Sequence, residues 1–145
     1  MNLVTPTGFR DVLPDEAAER ERITRAVQDL FAQEGFQPIE TPTLEAMDVV
    51  NAGTHLPASP FRFFDSQGDL LAMRPDVTIQ VARMCSTRLR GAGAGARLRY
   101  TQRVFRETEG TAQVTPREMT QIGVEDVGEA GWQIDSYLAS LMLQA

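Results

Sequence analysis

The chain has 145 residues, of which 42% are hydrophobic, which is enough to bury one core, so we expect a single globular domain over residues 1–145. The fourteen basic residues are all arginine and are outnumbered by twenty acidic ones, and the net charge of −6 argues against a domain that mainly binds nucleic acid. A single cysteine excludes a disulfide framework, and one cysteine and one histidine cannot form a cysteine or histidine metal cluster. The absence of lysine excludes Schiff-base and P-loop chemistry. No metal or cofactor is therefore implied.

The N-terminal region predicts a cytoplasmic protein with an extended arm. It lacks a basic segment followed by an apolar run, and no apolar segment approaches the ~20 residues that span a bilayer. Thr5–Pro14 is rich in turn-forming residues at both ends and is too short in its apolar middle for a regular element. We expect it to pack on the body as an extended arm.

An amphipathic helix is predicted after Pro14. Asp15 and Glu16 offer a cap and early negative charge, and Gly35 ends the pattern. The apolar residues recur at i, i+4, i+7 and i+8, at positions Ile23, Val27, Leu30 and Phe31. The opposite face is charged and is interpreted as solvated, with residues Glu19, Arg20, Glu21, Arg22 and Arg25.

Phe36–Pro42 is predicted to be extended, because the residue before each of its prolines is pushed out of the helical region. A proline-containing segment cannot be a fully paired central strand, so it belongs at an edge. Thr43–Val50 is predicted to be a short helix capped by Thr43, and Asn51–Pro60 a loop. His55 lies in that loop and is given no catalytic role.

A hairpin is predicted from Phe61–Asp65 and Leu70–Arg74, with a turn between them. Pro75-Asp76 then starts a helix whose apolar stripe is Val77, Val81, Met84 and Cys85. On spacing alone Asp76 is an N-cap.

After the flexible turn Gly91–Ala96, Leu98–Arg106 and Arg117–Glu125 predict two antiparallel strands joined by a long loop. Alternation places Arg117, Met119, Gln121, Gly123 and Glu125 on one face of the second strand. A glycine inside a strand often marks the close approach of a ligand or another backbone, so this face is either a pocket floor or a solvated face of an edge hairpin. Spacing does not separate these interpretations.

The last predicted element is a helix that starts after Gly128 and runs to Ala145. Its apolar residues are Trp132, Ile134, Tyr137, Leu138 and Leu141. The hairpins and amphipathic helices together predict an α+β fold with a mixed, mainly antiparallel sheet flanked by helices.

Several motifs resemble the histidyl-tRNA synthetase-like branch of the class II aminoacyl-tRNA synthetases. Gly8–Pro14 is similar to its Gly-Phe-Arg-Asp-x-Leu-Pro signature, and the first helix followed by Phe36–Pro42 is similar to motif 1. Leu71–Thr78 resembles the Arg-Pro-acid-x-Thr motif, and Val104–Arg106 with Pro116–Glu125 resembles motif 2. The resemblance implies a partial class II synthetase-like catalytic core, of which this chain carries roughly the first third; the family's histidine-contacting loop and motif 3 would lie beyond Ala145.

The resemblance implies an L-histidine site and a homodimer. Asp76 and Thr78 match the positions that hold the α-amino group, and Gln121 and Glu125 complete the amino-acid site. Motif 1 forms a homodimer interface in this family; an ordinary helix-to-strand connection is the alternative.

The family contains both synthetases and the non-catalytic regulatory subunits of ATP phosphoribosyltransferase, so two functions compete. Arg106 matches the arginine that grips the ATP α-phosphate, and Arg117 belongs to the second arm of the same motif, but the accompanying glutamate and loop arginine are replaced by Thr108 and Thr115. Each lost charge-assisted contact removes roughly 1.5 to 3 kcal/mol, so we expect poor ATP affinity and interpret Arg106 and Arg117 as a vestigial nucleotide site.

The kept amino-acid site favours a regulatory subunit that binds L-histidine and the short-form catalytic subunit of ATP phosphoribosyltransferase, with no catalysis of its own. The alternative is a histidyl-tRNA synthetase, although the acidic charge argues against tRNA as a partner. A fragment that binds no ligand is the third interpretation.

Overall fold

The computed structural model describes residues 4–53, 59–90, 95–107, 115–128 and 130–145. The helices are α1 (Pro14–Gln33), α2 (Met47–Ala52), α3 (Thr78–Thr87) and α4 (Trp132–Met142). The strands are β1 (Gln37–Pro38), β2 (Leu44–Ala46), β3 (Arg62–Phe64), β4 (Leu70–Met73), β5 (Ala96–Phe105) and β6 (Glu118–Val127). The predictions for His55, Gly91–Ala94 and Thr108 lie outside the described residues.

The long predicted hairpin is confirmed. β5 and β6 pair antiparallel over ten residues each, from Ala96 opposite Val127 to Phe105 opposite Glu118. The short strand β1 adds to the edge of β5 in parallel, with Gln37 opposite Leu98. The proline-containing segment is therefore an edge, as predicted.

The second predicted hairpin is also confirmed. β3 pairs antiparallel with β4, and β2 pairs antiparallel with the other side of β4. The α+β class and the mixed, mainly antiparallel pairing follow the prediction, but the strands are divided between a β1-β5-β6 sheet and a β2-β4-β3 sheet.

Helices cover both faces of the β5–β6 hairpin. On one face, the α3 N-cap residue Val77 and Val81 of α3 pack with the inward side chains of β5, Leu98, Tyr100 and Val104. On the other face, Ile122 and Val124 of β6 pack with a cluster that joins α1 to α4, Phe31, Phe36 and Leu141. The face that carries Gln121 and Glu125 therefore lies toward α3, and the hairpin is an internal layer.

Arg74 links the two sheets. It is 6% exposed, its Nε donates to the carbonyl of Arg103 at 2.6 Å, and its Nη1 donates to the carbonyls of Thr41 at 2.7 Å and Pro42 at 3.1 Å. The backbone carbonyl of Arg74 accepts from the amide of Phe105 at 2.9 Å. This clamp fixes the end of β4, and with it the Pro75-Asp76 turn, against β5.

The predicted helix over Thr43–Val50 is wrong in its first half. Leu44–Ala46 is β2, and helix α2 begins at Met47 and continues to Ala52 without a cap from Thr43. Pairing with β4 satisfies the backbone groups of Leu44 to Ala46, and this tertiary contact outweighs the local helical pattern.

The helix ends differ from the prediction in detail. Pro14 itself is the first residue of α1, so Asp15 and Glu16 lie in the first turn and do not cap the helix. Helix α3 begins at Thr78, and α4 ends at Met142 with Trp132 73% exposed. The helices of the described residues include none that is both long enough and apolar enough to span a bilayer.

Candidate functional site

The four residues predicted for the amino-acid site converge at the N-terminus of α3. The hydroxyl of Thr78 donates to Oε1 of Glu125 at 2.7 Å, and Nε2 of Gln121 donates to Oδ2 of Asp76 at 3.1 Å. Asp76, just before α3, thus contacts Gln121, and Thr78, the first residue of α3, contacts Glu125. Gln121 and Glu125 lie four residues apart on one face of β6. The structure brings together the residues that spacing placed on two separate elements.

Gln121 and Asp76 hold one another and the helix start. Oε1 of Gln121 accepts from the amide of Val77 at 3.1 Å, while Oδ1 of Asp76 accepts from the amide of Thr78 at 2.8 Å. Asp76 is therefore not the N-cap residue itself, which is Val77, but its carboxylate satisfies one of the free amides of the first turn. The N-cap prediction for Asp76 is therefore one residue early, although its carboxylate does accept from an amide of the first turn.

Glu125 has one oxygen that the described residues leave free. Oε1 accepts from Thr78 and, at 3.4 Å, from the hydroxyl of Tyr100, whereas no described donor reaches Oε2. The described residues contain no fully buried side-chain oxygen or nitrogen without a partner, so Oε2 keeps some solvent-accessible surface. Oε2 is therefore a carboxylate oxygen without a donor among the described residues, and it is available to a ligand.

Tyr100 belongs to this site and was missed by the sequence analysis. It is 4% exposed, and its hydroxyl lies 3.4 Å from both Glu125 Oε1 and Gln121 Nε2. The pairing register of the two strands could have revealed it. Counting back from the pair Phe105–Glu118 places Tyr100 directly opposite Gly123.

Gly123 marks a close approach, but not of a ligand or a backbone. A Cβ built on Gly123 would lie 2.5 Å from the Tyr100 hydroxyl and 2.6 Å from its Cζ. The glycine leaves room for the tyrosine ring from the neighbouring strand, which corrects the prediction made from its position between Gln121 and Glu125.

Burial dominates the electrostatics of the site. It raises the pKa of Glu125, and the nearby charge of Asp76 raises it further, while the hydrogen bonds from Thr78 and Tyr100 act in the opposite direction. Burial and the Glu125 charge also raise the pKa of Tyr100, so its hydroxyl keeps its proton at neutral pH. Two carboxylates, one of which accepts from the neutral Tyr100 hydroxyl, are a suitable set for a cationic ligand.

Arg106 lies beside the site and Arg117 does not. Nε of Arg106 donates to the carbonyl of Pro75 at 3.0 Å, and Nη2 lies 4.0 Å from Oδ2 of Asp76. The guanidinium of Arg117 stacks over the ring of Phe61 at 5.5 Å, and its amide donates to the carbonyl of Gly8 at 2.9 Å. Arg117 thus anchors the N-terminal arm and makes no described contact with the four predicted residues.

A groove of about 490 Å³ lies on the opposite side of the hairpin from this site. It runs between the N-terminal arm, α1 and β6, and its lining includes Phe9, Ile23 and Ile122. None of the four converging residues lines it, so the groove and the cluster of Asp76, Thr78, Gln121 and Glu125 are separate features.

The arrangement can bind a compact cation through hydrogen bonds. Asp76, Thr78, Gln121 and Glu125 supply oxygen acceptors around the first turn of α3, and the free Oε2 of Glu125 can accept a charge-assisted hydrogen bond. A primary ammonium group, which has three donors and no acceptor, matches this set.

Comparison with known proteins agrees with the fold and the motifs. The sequence model of the family described as histidyl-tRNA synthetase matches residues 8–145. An ATP phosphoribosyltransferase regulatory subunit of Syntrophotalea carbinolica is 40% identical over 142 residues, which are 96% of this chain and 33% of the relative. A regulatory subunit of the same name from Desulfitobacterium hafniense is 38% identical over 100% of this chain and 37% of the relative.

Solved structures align over nearly the whole chain. A crystal structure named ATP phosphoribosyltransferase regulatory subunit/histidyl-tRNA synthetase, from Bacillus halodurans, has a TM-score of 0.87 and 31% identity, covering 98% of this chain and 37% of that one. An apo histidyl-tRNA synthetase of S. aureus has a TM-score of 0.82 at 21% identity, covering 99% of this chain and 34% of that one, and this shows a shared fold. The chain spans about a third of the length of the curated relatives it matches. By the match over residues 8–145, the chain belongs to the histidyl-tRNA synthetase family, with a class II synthetase-like core.

Proposed function

We propose that this chain is the N-terminal part of a non-catalytic regulatory subunit of ATP phosphoribosyltransferase that binds L-histidine. The observation that carries the proposal is the convergence of Asp76, Thr78, Gln121 and Glu125, with Oε2 of Glu125 free to accept from the α-ammonium group of the amino acid. The names of the relatives that are 38–40% identical over this chain support the regulatory branch.

The residues at the positions that contact ATP in the family support a regulatory subunit over a synthetase. The carboxylate and the guanidinium that the family uses beside ATP are replaced by Thr108 and Thr115. Of the two arginines that remain, Arg106 is held by Pro75 and Arg117 is stacked on Phe61. A site that keeps its amino-acid contacts and loses nucleotide contacts suits a sensor of histidine.

Histidine would control the pathway through differential binding. A subunit without chemistry changes an enzyme's activity only if its ligand favours one state of the complex over another. The partner in this proposal is the short-form catalytic subunit of ATP phosphoribosyltransferase in the cytoplasm, where histidine biosynthesis begins. The regulatory subunit would pair with itself through α1 and the Phe36–Pro42 segment.

The test is co-purification of the protein, at the full length of its relatives, with the short-form catalytic subunit. We expect a stable complex whose ATP phosphoribosyltransferase activity exceeds that of the catalytic subunit alone and falls when L-histidine is added. A protein that neither associates nor changes the activity, and that charges tRNA with histidine by itself, would overturn the proposal.

Histidyl-tRNA synthetase is the second candidate, favoured by the place of Arg106. Its guanidinium lies at the edge of the amino-acid site, next to Asp76, where the family's α-phosphate contact would be. The aminoacylation assay named above separates the two functions.

A further inference from the structure

Tyr100 and Gly123 form a matched pair across the β5–β6 ladder. The residues are directly opposite in register, and the tyrosine ring lies over the glycine, where any Cβ would be 2.5 Å from its hydroxyl. The backbone of Gly123 does not have a positive φ, so an L-residue could adopt its conformation. The three atoms nearest to such a Cβ all belong to the tyrosine side chain, so the tyrosine accounts for the glycine at this position.

The tyrosine hydroxyl is placed between the two β6 residues of the site. It lies 3.4 Å from Oε1 of Glu125 and 3.4 Å from Nε2 of Gln121, which flank Gly123 on the same face of the strand. It can accept from the Gln121 amide and donate to the Glu125 carboxylate at the same time. Tyr100 therefore contacts both side chains but does not contact Oε2 of Glu125.

The direction of these hydrogen bonds decides which carboxylate oxygen faces a ligand. Tyr100 and Thr78 both donate to Oε1 of Glu125, and the described residues give Oε2 no donor. Two donors on one oxygen fix the rotation of the carboxylate plane and leave the second oxygen directed away from them.

We propose that Tyr100 is a positioning residue for the amino-acid site: seated over Gly123, it holds Glu125 with Oε2 toward the ligand ammonium and steadies Gln121 beside Asp76. This rests on the proposed function in one respect, the identity of the ligand. The positioning itself concerns Glu125 and is present without ligand.

The proposal makes Tyr100 a determinant of the Glu125 titration. Among the described residues, the titratable or charged groups around Glu125 are Tyr100 from β5, Asp76 and Cys85 from the α3 side, and Arg106 beyond Asp76. The hydrogen bond from Tyr100 lowers the pKa of Glu125 against the effect of burial. Removing only the hydroxyl therefore raises the pKa of Glu125, which a purely structural loss of ring packing would not do.

The chain offers a matched control, because it contains two tyrosines and each donates to a glutamate. The hydroxyl of Tyr137 donates to Oε2 of Glu34 at 2.8 Å, on the α1–α4 side of the hairpin, away from the site. Tyr137→Phe thus removes the same atom from the same kind of contact elsewhere in the fold.

The first measurement is calorimetric binding of L-histidine to the full-length protein across a range of pH. Tyr100→Phe is expected to weaken binding about fivefold, as the loss of one hydrogen bond would. It is also expected to move the acidic limb of the affinity profile to higher pH. Tyr137→Phe is expected to leave the affinity and the position of the acidic limb unchanged. The titration of L-histidine itself is the same for every variant, so it does not affect the differences between them.

The second measurement needs no ligand. The Glu125 carboxyl carbon is followed by NMR through a pH titration of the labelled protein, with Glu125→Gln to identify its signal. Tyr100→Phe is expected to raise the observed pKa, and Gly123→Ala, which displaces the hydroxyl while keeping the tyrosine, is expected to do the same. If wild-type protein binds no histidine but these shifts are seen, the proposed function fails and the positioning role stands. An unchanged Glu125 titration in both variants, or an equal shift in Tyr137→Phe, overturns the positioning role.

Discussion

Glu125 is a residue whose burial opposes its charge. Burial raises its pKa in the ligand-free protein, so the folded state prefers the protonated form more than the unfolded chain does. The resulting stability is complete below the ordinary glutamate pKa of about 4.3 and is lost as pH rises through the raised folded value. At neutral pH the carboxylate therefore lowers the free energy of unfolding while it supplies the oxygen that a cation needs.

Glu125→Gln is expected to stabilise the ligand-free protein at pH 7 by about 1 kcal/mol, because it removes the buried charge but keeps an oxygen for Thr78 and Tyr100. Urea unfolding at several pH values measures this. The decline of stability with rising pH through the Glu125 titration should also be missing from the variant.

Glu118→Gln is the control on the same strand. Glu118 pairs at the surface with Arg103, whose side chain is 67% exposed, and its loss should change stability by no more than about 0.5 kcal/mol. If Glu125→Gln changed the free energy of unfolding as little as Glu118→Gln, burial of the Glu125 carboxylate would not destabilise the fold.

The sequence predicted four residues that the structure brings into contact, but not how they are held. Gln121 and Glu125 could be placed on one face by alternation, and Asp76 and Thr78 by their motif, because both are local features of sequence. Tyr100 could not be found in this way, since its role comes from register across the ladder. Arg117 was assigned to the nucleotide site by its motif, and its stacking on Phe61 depends on the position of a distant strand.

Helices and strands, like the site residues, could be predicted where local sequence determines them and not where contacts between distant segments do. The β5–β6 hairpin and α1 were predictable because their patterns extend over ten or more residues. The strand Leu44–Ala46 was not, because only its pairing with β4 makes a three-residue segment a strand. The division of the strands into two sheets likewise depends on contacts far apart in sequence.

Arg74→Lys tests the link between the two sheets. Lysine has no planar fork, so it cannot reproduce together the hydrogen bonds to the carbonyls of Arg103, Thr41 and Pro42, of which the Pro42 carbonyl keeps a second donor in Gln80. We expect a loss of about 2 to 4 kcal/mol in the free energy of unfolding, measured by urea denaturation.

Arg62→Lys, at an exposed position of β3, is the matched control and should stay within about 0.5 kcal/mol of the wild type. Equal stability of the Arg74 and Arg62 variants would mean that the clamp does not hold the sheets together.

At the scale of the whole molecule, the proposed homodimer places α1 at an interface. Ile23 belongs to the apolar stripe of α1 but is 45% exposed, unlike Phe31 at 1%. Ile23→Arg is expected to shift the full-length protein toward the monomer in sedimentation velocity, because a charge would be buried without a partner.

Glu21→Arg, on the exposed charged face of the same helix, is expected to leave the sedimentation coefficient unchanged. A wild-type protein that is already monomeric, or an Ile23 variant that sediments like the wild type, would remove α1 from the interface.

Calorimetric titration of the full-length protein with L-histidine and, separately, with ATP is the decisive test of the proposed function. We expect histidine to bind and ATP not to bind. Glu125→Ala is expected to weaken histidine binding by at least about tenfold, because a charge-assisted hydrogen bond is lost. Binding of ATP as tightly as histidine, or histidine binding that is unchanged in Glu125→Ala, would rule out the proposed histidine site.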